Sequence, residues 1–222
     1  MEAKEFEGFK LTLQEHISEI TSQNARFHSC LISENTTLLG RENEIVRNAV
    51  PQREREFSAG RKCARECLAS LGVKDFEILR GNLGEPLWPE GLTGSITHHA
   101  GMAFSVSVSN KWGFIGIDIA DLTDTLTEPD SILNGSELGI SLGCSNDKTG
   151  LILFSMKESV IKILSPLLKK YIEFKDIRIT VSDQVAKAST TEIDSTIELF
   201  LVRYGRYAFT TAILKNGLNM EI

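Results

Sequence analysis

Apolar and polar residues alternate along this chain with two different periods, and the switches between them divide it. From Pro51, in PQREREFSAGRKCARECLASLG, apolar or small residues fall at Phe57, Gly60, Ala64, Cys67, Leu68 and Leu71, the three-and-four spacing of a helix with one buried face. Pro51 suits its first turn and Gly72 its end. GNLGEPLWPEGLTG, with four glycines and two prolines, predicts a loop. GSITH then enters a short strand. AFSVSV sets Ala103, Ser105 and Ser107 against Phe104, Val106 and Val108, the period of two expected of a half-buried strand. With SNKWG as a turn and FIGIDIA as partner, this stretch predicts a hairpin. Lys148 to Leu164 predicts a second long helix ending near Pro166. IRITV, TIELFLV and YAFTTAIL follow as strands. The first 49 residues add little to this pattern.

The order is helix then strands, twice. It predicts an α+β protein of two similar halves, with the junction near Asp118: residues 1–117 form one subdomain and residues 118–222 the other. No letter-for-letter internal repeat accompanies that rhythm.

Composition narrows the function classes. The chain has 222 residues, 41% hydrophobic and 24% charged, values ordinary for a globular protein with a sizeable core. Its 24 basic and 30 acidic residues give a net charge of -6, which argues against a nucleic-acid partner, since that needs a broad basic field. The charged start MEAKEFEGFK does not read as a signal peptide, and no run has the roughly 18 apolar residues of a membrane span. A cytoplasmic protein without integral membrane association is expected. Cys30, Cys63, Cys67 and Cys144 form no CxxC pair, and His98 and His99 offer no zinc-ligand spacing, so reduced thiols are expected.

Candidate chemistry starts at Asp118, a carboxylate among the isoleucines of GFIGIDIADL. Burying it unpaired and ionised would cost several kcal/mol, so it must be neutral, ion-paired or bound to a cation. In LFSMKESVIKIL, Glu158 and Lys162 share a helix face at i and i+4, an arrangement also common on solvated helices. Here the surrounding residues are apolar, which leaves Lys157, Glu158 and Lys162 for an interface or cleft. Asp118 and Glu158 together would make a hard oxygen site suited to Mg²⁺ and hence to a phosphate ester or anhydride. Between Arg53 and Arg65 stand five basic residues against two acids, so Arg53 and Arg61 could grip a polyanion, although a solvated helix face gives the same run. His98 could donate to phosphate oxygens or serve a structural role.

In their order, VPQREREFSAGRKCAR, GEPLWPEGLTGSITH, IGIDIA and LFSMKESVIK resemble the 4′-phosphopantetheinyl transferases of the larger, two-lobed kind. The resemblance runs from about Val50 to about Thr180. It implies two α/β subdomains related by pseudo-twofold symmetry, with the active site at their interface. The implied reaction transfers the phosphopantetheine arm of coenzyme A to a serine of an apo acyl or peptidyl carrier protein, and releases 3′,5′-ADP. It also implies that Asp118 and Glu158 hold Mg²⁺, that Arg53, Arg61, Thr97, His98, Lys157 and Lys162 bind coenzyme A, and that Glu158 and Lys162 are catalytic. Siderophore, nonribosomal peptide or polyketide synthesis is the implied setting. Two lobes in one chain would complete the site, so a monomer is expected.

Two departures accompany the resemblance. Most relatives read GIDIE, but this chain has Ala120 two residues beyond Asp118, on the same strand face; Asp121 should point the other way. Some relatives carry a lysine just before GEP, where this chain has Leu83 and Gly84. Weaker Mg²⁺ or coenzyme A binding is therefore expected. Lys169, Lys170 and Lys175 are candidate carrier-docking residues. Two competing readings are a non-catalytic module that binds coenzyme A or a carrier protein and a metal-dependent phosphoesterase, for which the chain lacks dense carboxylate and histidine clustering.

Overall fold

The computed structural model describes residues 2–33, 36–183 and 185–216. The fold is α+β, with two sheets, and the chain divides into two compact units, Met1–Gly113 and Phe114–Ile222.

The first unit holds helices α1 (Ala3–Ile20), α2 (Glu42–Val46) and α3 (Pro51–Ala69) and strands β1 (Arg26–Leu31), β2 (Leu92–His99) and β3 (Met102–Ser109). Its antiparallel sheet runs β1-β3-β2. Helix α1 buries Phe6, Phe9, Leu13 and Ile17, and Phe9 meets Phe104 of β3 edge-on at 5.9 Å between ring centroids. Helix α3 lies close to the sheet through small residues: a Cβ on Gly60 would stand 2.8 Å from Ile96 Cγ2. Ala100 and Gly101, both left-handed, close a tight hairpin between β2 and β3.

That hairpin differs from the expected one. AFSVSV is β3, but β1 and β2 occupy both of its edges, so β3 has no edge left for FIGIDIA. FIGIDIA is instead β4 (Gly113–Asp121), which neighbours β8 (Tyr207–Lys215) in a five-stranded sheet ordered β4-β8-β7-β6-β5. Strands β5 (Ile177–Ser182), β6 (Val185–Thr190) and β7 (Ile197–Tyr204) complete that sheet, and α4 (Pro129–Ile132) is a single turn. The sequence pattern also misses α1, β1 and β6.

Helix α5 (Asn146–Leu168) extends two residues past Pro166 and ends at Lys169 in the left-handed conformation. It buries Ile152, Val160, Ile163 and Leu164 and packs on β5 and β8. At Gly116 of β4 a Cβ would sit 1.9 Å from the Ser159 carbonyl oxygen, so this glycine lets α5 rest directly on the strand. No helix among the described residues is long and apolar enough to cross a membrane.

Candidate functional site

Each unit carries its own cluster of candidate residues. In the second, β4 presents Asp118, which is 9% exposed, beneath α5. Lys162 Nζ donates to Asp118 Oδ1 at 2.7 Å and to the Ile117 carbonyl at 3.0 Å. Ser155 Oγ donates to Asp118 Oδ2 at 2.8 Å. Ser155 is held in turn by Thr210 of β8, whose hydroxyl lies 2.9 Å from Ser155 Oγ and 2.7 Å from Ser159 Oγ. The gap that Gly116 provides is what brings this face of α5 within reach of β4.

Glu158, half-buried on α5, takes no hydrogen bond or ion pair from the described residues. Burial pushes its carboxyl above the usual range; Lys162 opposes the rise and the charge of Asp118 adds to it. Glu158 and Asp118 are both hard oxygen donors and fit a divalent cation such as Mg²⁺, which would offset the burial and the Asp118 charge that push the Glu158 carboxyl up. Ala120, on Asp118's face of β4, is buried and offers no oxygen.

Lys157 does not share this face. It is fully buried; its Nζ is 2.8 Å from Glu137 Oε2 and donates to the carbonyls of Ile132 (2.8 Å) and Phe174 (3.0 Å). Burial lowers its pKa while Glu137 supports the charge. Glu137 also accepts from the backbone N–H of Asn134 and Ile179, both at 2.7 Å. These bonds tie α5 to the segments around α4 and β5 and leave no proton of the ammonium for a phosphate. Asp121 is also committed: Arg206 donates to its Oδ2, and the Thr123 N–H and hydroxyl bind its Oδ1 at 2.9 and 2.7 Å. Burial alone would raise its carboxyl, but these bonds outweigh burial and hold it below the usual range. Among the lysines considered for docking, Lys170 pairs with Glu192, Lys175 donates to the Leu133 carbonyl, and Lys169 caps α5.

The first unit contains a cavity of about 130 Å³ lined by Arg53, Arg61, Arg80 and His98, with Glu56, Phe57, Gly60, Gly84, Pro86 and Ile96 completing the wall. Arg53 Nη1 lies 3.0 Å from His98 Nε2, and Glu56 Oε2 is 3.8 Å from Arg53 Nη1 and 3.7 Å from His98 Nδ1. Arg61 is only 6% exposed; its Nε donates to the Ile78 carbonyl at 2.6 Å and its guanidinium lies 4.2 Å from the Phe57 ring centroid. Burial draws its pKa down to about 10, Glu42 opposes this, and the like charges of Arg80, Arg65 and Arg53 deepen it. An anion would relieve the repulsion that the neighbouring arginines exert on Arg61, so the cavity suits phosphate. Thr97 is buried in β2 beside His98.

Arg80 is the residue that sequence reasoning missed. It sits four residues before Gly84, whose left-handed φ of +89° makes the turn and where a Cβ would crowd Arg80 Nη2 at 2.9 Å. Arg80 thus adds a third arginine to the cavity. Arg65, by contrast, leaves the basic run to pair with the fully buried Glu42 at 2.6 Å.

Comparison with known proteins matches both halves. The family model of the 4′-phosphopantetheinyl transferase N-terminal domain takes residues 41–107, and that of the 4′-phosphopantetheinyl transferase superfamily takes residues 114–212, together about three quarters of the chain. The chain is 35% identical over 156 residues to 4′-phosphopantetheinyl transferase PptT of Mycobacterium tuberculosis, covering 65% of each protein. It is 33% identical to 4′-phosphopantetheinyl transferase Npt of Nocardia iowensis over 63% of this chain and 64% of that protein. It is 32% identical to enterobactin synthase component D of Salmonella typhi over 55% of this chain and 53% of that protein. The matched stretches thus span just under two thirds of the first two relatives' lengths.

Proposed function

The chain belongs to the 4′-phosphopantetheinyl transferase superfamily, and from that premise we propose that it transfers the 4′-phosphopantetheine arm of coenzyme A to a serine of an apo acyl or peptidyl carrier protein. The observation that supports the reading is the Asp118–Lys162 pair with Glu158 one turn before Lys162 on the same face of α5, a charged cluster kept on apolar elements.

Arg53, Arg61, Arg80 and His98, which line the cavity, bind the phosphates of coenzyme A; Thr97 is not among the cavity's lining residues. Asp118 and Glu158 would hold Mg²⁺, which supplies charge neutralisation at the pyrophosphate. Glu158, ionised, accepts the proton of the carrier serine as its Oγ attacks the β-phosphorus. The bond from that phosphorus to its bridging oxygen breaks, and 3′,5′-ADP leaves with its new charge met by Lys162 Nζ. Positioning and charge do most of this work, as in phosphoryl transfer generally. Lys157 is assigned to the scaffold. The carriers proposed are those of siderophore, nonribosomal peptide or polyketide synthesis, met by a cytoplasmic monomer.

The test is to incubate the protein with coenzyme A, Mg²⁺ and an apo carrier protein and to weigh the carrier. A gain of one phosphopantetheine, abolished in Asp118→Ala and Glu158→Ala, is expected. Binding of coenzyme A without transfer would make the protein a non-catalytic module, and hydrolysis without transfer a phosphoesterase.

A further inference from the structure

Away from the carboxylates, Cys30 of β1 and Cys63 of α3 face each other with their sulfurs 3.3 Å apart, although they are 33 positions apart in sequence. Cys63 is fully buried and Cys30 is partly exposed. Ala59 and Ala103 wall the pair, and such small side chains leave the sulfurs room to turn. We propose that Cys30 and Cys63 form a peroxide-responsive thiol pair that closes to a disulfide between β1 and α3.

The two thiols have unequal roles. The Cys63 S–H donates to Cys30, and this bond, against burial and with the charges of Lys62 and Lys10, lowers the Cys30 pKa. The same bond, with burial, raises Cys63. Cys30 is therefore the nucleophile that peroxide meets, and Cys63 is the resolving partner. The Cys30 thiolate attacks one peroxide oxygen, the O–O bond breaks, and Cys30 becomes a sulfenic acid as hydroxide leaves and is protonated to water. Cys63 sulfur then attacks Cys30 sulfur. The S–S bond forms, the S–O bond breaks, and the Cys63 proton leaves with the departing hydroxide as a second water. Two thiols lose two electrons and hydrogen peroxide gains them. A disulfide is about 2.05 Å long, so the sulfurs must approach by roughly 1.2 Å, within reach of side-chain rotation and a slight shift of the α3 turn two residues beyond Arg61.

The test treats the reduced full chain with hydrogen peroxide, blocks remaining thiols with N-ethylmaleimide in denaturant, and maps the peptides. The expected result is a Cys30–Cys63 cross-link reversed by dithiothreitol, with Cys67 and Cys144 alkylated and a melting temperature raised by several degrees. In Cys63→Ala, Cys30 should stop at a sulfenic acid trapped by dimedone. Wild-type protein in which Cys30 oxidises while Cys63 remains alkylatable, or in which the cross-link joins another pair, overturns the proposal. No activity assay enters this test, so its outcome is separate from that of the transferase reading.

Discussion

Lys162 Nζ lies 2.7 Å from Asp118 Oδ1 and also binds the carbonyl of the preceding Ile117, so one ammonium holds both the aspartate side chain and the backbone of the β4 strand that bears it. In Lys162→Met, Asp118 loses that ammonium. The pair is only partly exposed, so the loss should destabilise the protein by about 1–3 kcal/mol. A divalent cation can replace an ammonium at the same oxygens. Millimolar Mg²⁺ should therefore raise the melting temperature more in Lys162→Met than in wild type, and equal shifts would mean that Asp118 holds no metal.

Gly116→Ala tests what allows that pairing. The added Cβ would lie 1.9 Å from the Ser159 carbonyl oxygen, a backbone atom that can move only with α5. Overpacking of this kind costs about 1–3 kcal/mol or more. Transfer activity should fall with stability, because Lys162, Ser155 and Glu158 travel on the displaced helix. Gly135→Ala, with nothing within 4 Å of the added carbon, is the near-neutral control.

The chain shows α3, α5 and most of its second-unit strands in its hydrophobic pattern, whereas α1 went unread. Pairing was less legible. AFSVSV and FIGIDIA look like adjacent hairpin arms, and only the presence of β1 on β3 shows otherwise; β1 in turn comes from a region whose 3/4 spacing of Phe6, Phe9, Leu13 and Ile17 was open to reading. In the site, GIDIA and KESVIK marked Asp118, Glu158 and Lys162. Sequence placed Lys157 near the cleft with Glu158 and Lys162, because only the buried Glu137 on another segment shows where Lys157 points. Arg80 was hidden because it reaches the cavity across a glycine turn, without periodic spacing from Arg53 and Arg61.

That distinction predicts opposite phenotypes for two cations. Lys157→Ala strands the fully buried Glu137 and should cost about 3–5 kcal/mol of stability. Arg80→Ala should leave the melting temperature nearly unchanged and weaken coenzyme A binding by about 10- to 100-fold, the worth of one or two charge-assisted bonds. Calorimetric titration beside thermal melts checks both. An Arg80→Ala protein with wild-type affinity would remove Arg80 from the phosphate pocket.

Ala120→Glu would restore an oxygen donor two residues from Asp118 on the same strand face. The position is buried, so the new carboxylate should destabilise the protein in EDTA and be rescued by Mg²⁺. Magnesium affinity should rise several-fold over wild type. An unchanged affinity would show that Ala120 does not border the metal.

Glu158→Gln sets activity against stability. Burial raises the Glu158 carboxyl, with Asp118 adding and Lys162 opposing, so the folded protein binds this proton more tightly than the unfolded chain does. Such a group favours folding while protonated, below its unfolded pKa, and that advantage is lost as pH rises through the raised folded value. At pH 7 in EDTA the ionised carboxylate is thus a net cost, and Glu158→Gln, neutral at every pH, should melt above wild type. The difference should narrow on acidification into the ordinary carboxyl range, where both side chains are neutral. The same variant should transfer no phosphopantetheine, because an amide neither accepts the serine proton nor holds Mg²⁺ as a carboxylate does. A variant that melts below wild type at pH 7 would mean that Glu158 is held ionised by partners stronger than Lys162, and its place as the proton acceptor would fall with that result.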